Sequence, residues 1–256
     1  MSGHSKWKNI MHKKEKTDAQ RAKIFTKIGK EITIAVREGG ADPEANGKLR
    51  DLISKAKANN VPNDNIERTI KKAAGGDSAA YEEVTYEGYG PAGVAVVVKA
   101  ATDNRNRTSG EIRHYFDKYS GNLGTTGCVS YMFSERGVII VAREIEPDAK
   151  APRGTKPKPV DEDALMEDAL EVGATDFVAD EECFEISTEV NDLTFVRESL
   201  ETKGYPIISA DEDMVPSSYV TLESEDDIKN MNLLLEMLDD NDDVSSVFHN
   251  WEGADE

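Results

Sequence analysis

Apolar residues in the first third of the chain recur at helical spacing, and each such stretch ends in residues that stop a helix. Phe25, Ile28, Ile32 and Ala35/Val36 fall three or four positions apart, on one face of a helix. Thr17 and Gln20 form a capping-box pattern ahead of them, and Gly39-Gly40 closes the run. Asp42-Pro43 predicts the opening of a second helix with Ala45, Leu49, Leu52/Ile53 and Ala56 inward, closed by Asn59-Asn60 and Pro62. Asn63 predicts the cap of a third, with Ile66, Ile70 and Ala73/Ala74 as its stripe and Gly75-Gly76 as its stop. Three short amphipathic helices predict a small bundle.

From Tyr81 the pattern shortens to strands. Residues 84–89 and 94–101 read as a pair separated by Gly90-Pro91-Ala92-Gly93. A helix over 104–119 turns Ile112, Tyr115/Phe116 and Tyr119 inward, and a glycine-rich turn at 121–127 leads to a strand at 129–133. A new strand at 137–142 is followed by a charged, proline-bearing stretch at 144–160, read as a long exposed loop. Then come a helix at 162–172, strands at 177–179 and 183–187, a helix at 193–203 and a strand at 206–210. That β-α-β-β-α-β order is ferredoxin-like. A helix at 225–238 and a strand at 244–251 remain, and they complete the piece that began at 84. The predicted fold class is therefore α+β: an N-terminal helical bundle followed by two α/β units, one ferredoxin-like and inserted in the other. The expected domains are 1–77, then 78–133 with 217–256, and 134–216 as the insertion.

Charge adds a second pattern. The chain of 256 residues has a net charge of −19, yet residues 1–75 hold 17 Lys and Arg against 9 Asp and Glu. The leading part attracts polyanions and the rest repels them. No apolar stretch approaches the ~18 residues of a membrane span, and the first residues have no apolar core of a signal peptide. The 2 cysteines, Cys128 and Cys183, lie far apart. A cytoplasmic protein with free thiols is expected.

Catalytic chemistry finds no footing. His4, His12, His114 and His249 show no paired metal-ligand spacing, and there is no nucleophile elbow. The loop at 121–127 lacks the Lys-Ser/Thr of a phosphate-binding loop. The acidic run at 239–243 lacks the glycine and terminal glutamate of a calcium loop and reads as a solvated helix exit. No enzyme, cofactor or metal is expected.

Cationic side chains carry the remaining signal. Lys6, Lys8, Lys13 and Lys14 surround Trp7 in a basic arm, where the indole can stack on an unpaired base. Arg21 precedes Lys23, Lys27 and Lys30, which share one helical face, and Arg68 and Lys71 decorate the third helix. Arg105 and Arg107 stand at a helix start, where free amides already favour anions. All are candidate phosphate contacts, and binding of this kind weakens with salt.

Several long motifs then point to one family. Gly3-His4-Ser5-Lys6-Trp7-Lys8-Asn9-Ile10, Asp42-Pro43-Glu44-Ala45-Asn46, Asn63-Asp64-Asn65-Ile66-Glu67-Arg68, Tyr86-Glu87-Gly88-Tyr89-Gly90-Pro91 and Thr102-Asp103-Asn104-Arg105-Asn106-Arg107 resemble the YebC/PmpR family of transcriptional regulatory proteins. The likeness runs to Val247-Phe248-His249-Asn250-Trp251, with Gly121-Asn122 standing where the family usually has Gly-Gly. The resemblance implies a helical bundle, two α/β units with one inserted in the other, and a regulator without catalytic activity. Some relatives are DNA-binding transcriptional regulators; others are translation factors that carry ribosomes through proline runs. Met1 directly ahead of the first motif is expected of a cytoplasmic form without a transit peptide. The expected function is a nucleic-acid-binding regulator of gene expression acting on DNA. The alternative is a translation factor on ribosomal RNA. Expected partners are nucleic acid with the transcription machinery or the ribosome, and no membrane; oligomeric state stays open.

Overall fold

The computed structural model of the protein describes residues 18–76, 80–145 and 156–252, with side chains from Ala22 onward. It divides into two compact units: Ser134–Val215, and the described residues before 134 together with those after 215. The fold class is α+β, as the alternation of helical and strand periodicities requires.

The larger unit begins with α1 (Asp18–Gly39), α2 (Gly47–Ala58) and α3 (Asn63–Ala74). Most of their predicted stripes meet in one core, where Ile28, Ile32 and Val36 pack with Leu49, Ala56, Ile66 and Ala73; Ala45, expected inward, is exposed in the turn ahead of α2, and Phe25 is only half-buried. Two helix starts differ from expectation. Asp42-Pro43 forms a turn and does not open α2: the Asp42 carboxylate accepts from the Glu44 N–H at 3.0 Å, and its carbonyl accepts from the Asn46 N–H at 2.9 Å. A short acidic side chain that bonds the backbone two residues on favours a turn over a helix. Asn46 is the N-cap, accepting from the Leu49 N–H at 3.1 Å. Its amide also donates to the carbonyls of Ala35 and Gly40, both at 2.8 Å, so this buried side chain ties the end of α1 to the start of α2. For α3 the cap is Pro62, one residue ahead of the expected Asn63.

The α/β part follows with β1 (Glu82–Tyr89), β2 (Ala95–Thr102), α4 (Arg105–Lys118) and β3 (Asn122–Leu123). β1 and β2 are antiparallel in a register running from Glu82↔Thr102 to Tyr89↔Ala95. After the inserted unit the chain returns as β10 (Val220–Thr221), α7 (Glu225–Asp240), β11 (Val244–His249) and β12 (Trp251–Glu252). β11 adds antiparallel to β2, giving the sheet order β11-β2-β1-β3. Val96 and Val98 pack with Ile112 and Phe116 of α4 and with Met231, Leu234 and Leu238 of α7. The opposite side of β2 is buried as well, with Ala95 and Val97 at 0% exposure, and α1 lies against β2 and β11. Burial on both faces explains why this strand reads as a continuous apolar run where alternation would otherwise be expected.

The expected strand at 129–133 is replaced by a tight 3-10 turn at Ser130–Met132. The next strand, β4 (Phe133–Ala142), runs unbroken through 137. The backbone N–H groups of Val129 and Ser130 are claimed by the Glu87 carboxylate at 2.9 and 2.8 Å, so they are not free to join a ladder.

The smaller unit carries β5 (Glu144–Ile145), β6 (Lys158–Pro159), α5 (Glu162–Glu171), β7 (Asp176–Ala179), β8 (Cys183–Thr188), α6 (Leu193–Thr202) and β9 (Ile207–Pro216). The sheet order β7-β8-β4-β9 is that of the ferredoxin-like pattern. Ile139 and Val141 of β4 and Phe184 and Ile186 of β8 face Leu165 and Ala169 of α5 and Val196 and Leu200 of α6. The stretch at 144–160 departs from a plain loop at its ends, where β5 and β6 pair as Glu144↔Pro159 and Ile145↔Lys158.

Candidate nucleic-acid interface

The candidate residues separate into three groups by position. Lys6, Trp7, Lys8, Lys13 and Lys14 lie outside the described residues, and Arg21 is described only as backbone in the first turn of α1. Lys23, Lys27 and Lys30 come together as their helical spacing dictates, but they meet the chain's own acidic turn at 239–243. Lys23 Nζ bonds the Asp240 carboxylate at 2.8 Å. Lys27 Nζ donates to the Asp239 carbonyl and lies 3.7 Å from the same residue's carboxylate. Lys30 Nζ reaches the Asp243 carboxylate at 2.6 Å and the Asp242 carbonyl at 2.9 Å.

Asp243 is the centre of this arrangement. It is 6% exposed, and its second oxygen accepts from Arg107 at 2.7 Å, from the Thr108 hydroxyl at 2.7 Å and from the Thr102 hydroxyl at 3.2 Å. Burial opposes its charge, but the hydrogen bonds from Arg107, Lys30 and Thr108 outweigh burial and hold the carboxyl well below the usual carboxylate range. Arg107 also bonds Asp103 at 2.9 Å, so one of the paired arginines serves the fold. The run at 239–243 is therefore not a plain solvated helix exit. A signal for this was present in the sequence: carboxylates crowd the C-terminal end of α7, where the helix dipole favours cations. Such an end calls for positive partners from elsewhere in the chain.

The third group faces solvent. Arg105 begins α4, and its carbonyl accepts from the Tyr86 hydroxyl at 3.3 Å; among the described residues its guanidinium makes no ion pair. Arg68 and Lys71 are exposed on α3, with Lys71 3.6 Å from Glu67. Arg68 also borders an open groove of about 330 Å³ between α1 and α3, floored by Ile28, Ile32 and Ile66. Arg50, Lys57 and Lys72 are exposed on α2 and α3, again without an ion partner among the described residues. Lys48 differs, because it bonds Glu83 at 2.8 Å and Glu38 at 3.2 Å.

The glycine-rich loop forms a nest of amides, but the nest is filled by the protein itself. The Glu87 carboxylate takes the N–H of Gly127 at 2.7 Å as well as those of Val129 and Ser130. Burial opposes the Glu87 charge, but these three donors outweigh it and lower its pKa. A phosphate has no place at this loop while Glu87 holds it. Among the described residues no group of three His, Cys, Asp or Glu side chains is placed to hold a metal ion, and no helix is long and apolar enough to cross a membrane.

Two family models match the chain on either side of residues 77–80. The TACO1/YebC protein N-terminal domain matches residues 5–76, and the TACO1/YebC second and third domain matches residues 81–251. A probable transcriptional regulatory protein of Acetivibrio thermocellus is 57% identical over 254 residues, spanning 99% of this chain and 100% of the relative. One from Caldicellulosiruptor bescii is 55% identical over 257 residues, with 100% of each chain covered. Among solved structures, a conserved hypothetical protein from Aquifex aeolicus superposes with a TM-score of 0.78 at 46% identity, over 93% of this chain and 92% of that one. With both parts matched and relatives of this identity aligned end to end, the chain belongs to the TACO1/YebC family.

Proposed function

We propose that this protein is a non-enzymatic regulator of gene expression that binds DNA in the cytoplasm through its helical bundle and the start of α4. The observation that carries this reading is the set of solvent-facing cations, Arg68, Lys71 and Arg105, on a chain whose net charge is −19. Residues 1–75 hold 17 Lys and Arg against 9 Asp and Glu on an otherwise acidic chain, and a basic region of this kind is the electrostatic footprint of a polyanion site. The lysines at 6, 8, 13 and 14, with Trp7 among them, add to the basic charge of the same part of the sequence. The names of the relatives, probable transcriptional regulatory proteins, support the regulatory role. The working division is three parts, 1–77, 78–133 with 217–256, and 134–216, with the last free for protein partners in the transcription machinery.

The test is fluorescence anisotropy with a labelled DNA duplex of about 30 base pairs across a salt series. Each phosphate contact adds roughly 0.9 to the slope of log affinity against log salt. Replacing Arg68, Lys71 and Arg105 by Ala together is expected to lower that slope by about 2 to 3 and to weaken binding at every sequence tested. An unchanged slope, or no binding by the native protein at low salt, overturns the reading.

A further inference from the structure

We propose that Lys23 and Lys27, beside the anchored Lys30, form a second phosphate-binding face that the chain's own acidic turn occupies, so that a nucleic acid must displace Asp239 and Asp240 to reach it. This rests on the nucleic-acid reading above and deepens it, because it assigns these lysines to regulated contact.

Three observations support it. The lysines are spaced by four and three residues along one helix, which is about 6 and 4.5 Å of rise. Each ammonium meets a carbonyl and a carboxylate of the same turn. Lys23 has the Asp240 carbonyl at 3.4 Å and its carboxylate at 2.8 Å; Lys27 has the carbonyl and carboxylate of Asp239; Lys30 has the Asp242 carbonyl and the Asp243 carboxylate. Two oxygens per ammonium in a row is what a phosphodiester chain also offers. The turn thus copies the ligand with local groups. It does so at a helix end that repels its own carboxylates, so the lysines offset a local electrostatic cost.

The contact is also graded along its length. Lys30 and Asp243 have side chains only 11% and 7% exposed, the Lys27–Asp239 pair is 12% and 76% exposed, and the Lys23–Asp240 pair 38% and 59%. Exposed pairs contribute little and exchange readily with competing ions. The Lys23–Asp240 pair can therefore open first, and the exposed Asp239 can then lift off the covered Lys27, while Lys30 and Asp243 stay joined.

The experiment uses the full chain and the same labelled duplex. With Asp239→Asn and Asp240→Asn together, binding at 50 mM salt is expected to tighten about 5- to 10-fold, and the salt slope to steepen by up to about 2, for two lysines released. Adding Lys23→Gln and Lys27→Gln to that variant is expected to remove the gain. In the native background the same two lysine changes are expected to alter affinity less than about twofold, since those lysines are already occupied. Glu225→Gln with Asp226→Asn, at the other end of α7, removes equal charge and is expected to tighten binding far less. The proposal is overturned if the two neutralised pairs act alike. It is also overturned if the lysine changes weaken the native protein as much as the variant. If native and Asp239/Asp240 variant proteins bind equally, only the occupied-face proposal fails; if neither binds at low salt, the nucleic-acid reading fails with it.

Discussion

Lys30 and Asp243 stand 213 positions apart in the chain and 2.6 Å apart in space, each with little access to water. The same carboxylate anchors Arg107 and Thr108 at the start of α4. One side chain thus fastens α1, the first turn of α4 and the end of α7 to each other, and it does so in the region that carries the candidate cations.

Removing that anchor is expected to be costly. Asp243→Ala removes the buried carboxylate that Lys30, Arg107 and two hydroxyls share, leaving Lys30 with the Asp242 carbonyl and Arg107 with Asp103 as acceptors, and losing one partner of a buried charged network typically costs about 3 kcal/mol. Urea unfolding followed by the fluorescence of buried Trp251, in a Trp7→Phe background, measures it. Lys23→Ala, at the exposed end of the same contact, is expected to cost less than about 1 kcal/mol. Equal effects at the two positions contradict the graded picture.

Acid should unlock the same region. Asp243 and Glu87 both have pKa values depressed in the folded state, so they bind fewer protons than the unfolded chain does. Their contribution to stability is complete above the unfolded carboxyl values of about 4 and is lost as pH falls through the lower folded values. Stability measured from pH 6 down to pH 2 is expected to decline below about pH 4. The Asp243→Asn protein is expected to start lower and to decline less steeply. A parallel curve for that variant removes Asp243 from the account.

Gly88 has no room for a side chain. A Cβ there comes within 2.6 Å of the Asn122 carbonyl oxygen and 2.9 Å of the Phe116 ring. The first of these is backbone in β3 and cannot swing aside, so Gly88→Ala is expected to destabilise by about 1–3 kcal/mol, the usual range for overpacking. Thermal unfolding of the variant checks it; a native melting temperature contradicts the close approach of β1 to β3.

The two thiols should respond differently to a disulfide reagent. Cys183 is fully buried in β8, and burial, with the nearby Asp180 and Glu185, pushes its pKa up to about 12. Cys128 is half-buried, and burial also raises its pKa. At pH 8 Cys128 is expected to react slowly in the native protein, and Cys183 only when the inserted unit unfolds. Two fast thiols in the native state contradict the burial of β8.

Much of the architecture was readable from periodicity. The stripes through Ile28 and Ile32, Leu49 and Ala56, and Ile66 and Ala73 meet in one core because a 3.6-residue repeat reports which face of a helix is inward. The ferredoxin-like pattern of the 134–216 stretch was read from element order, and the sheet order β7-β8-β4-β9 agrees with it. Asn46 was harder to read, since Asp42-Pro43 offers an equally good local start and only the carbonyls of Ala35 and Gly40 select the later one. Glu87 was hidden for a different reason: alternation marks its strand position, but a carboxylate becomes an internal ligand only when a distant loop turns its amides inward.

The lysine face of α1 was legible because residues four and three apart must share a side of a helix, whatever surrounds them. What lies opposite that face was not legible, because an ion pair between residues more than two hundred positions apart leaves no periodic trace in either segment. The sequence by itself determined most of the helices and strands, the family motifs and the charge imbalance, all of which depend on short-range spacing and composition, but not the turn at 130–132 or the start of α2. The tertiary structure alone decided that Lys23, Lys27, Lys30 and Arg107 meet Asp239, Asp240 and Asp243, because that depends on how the closing helix α7 is brought back onto the opening one.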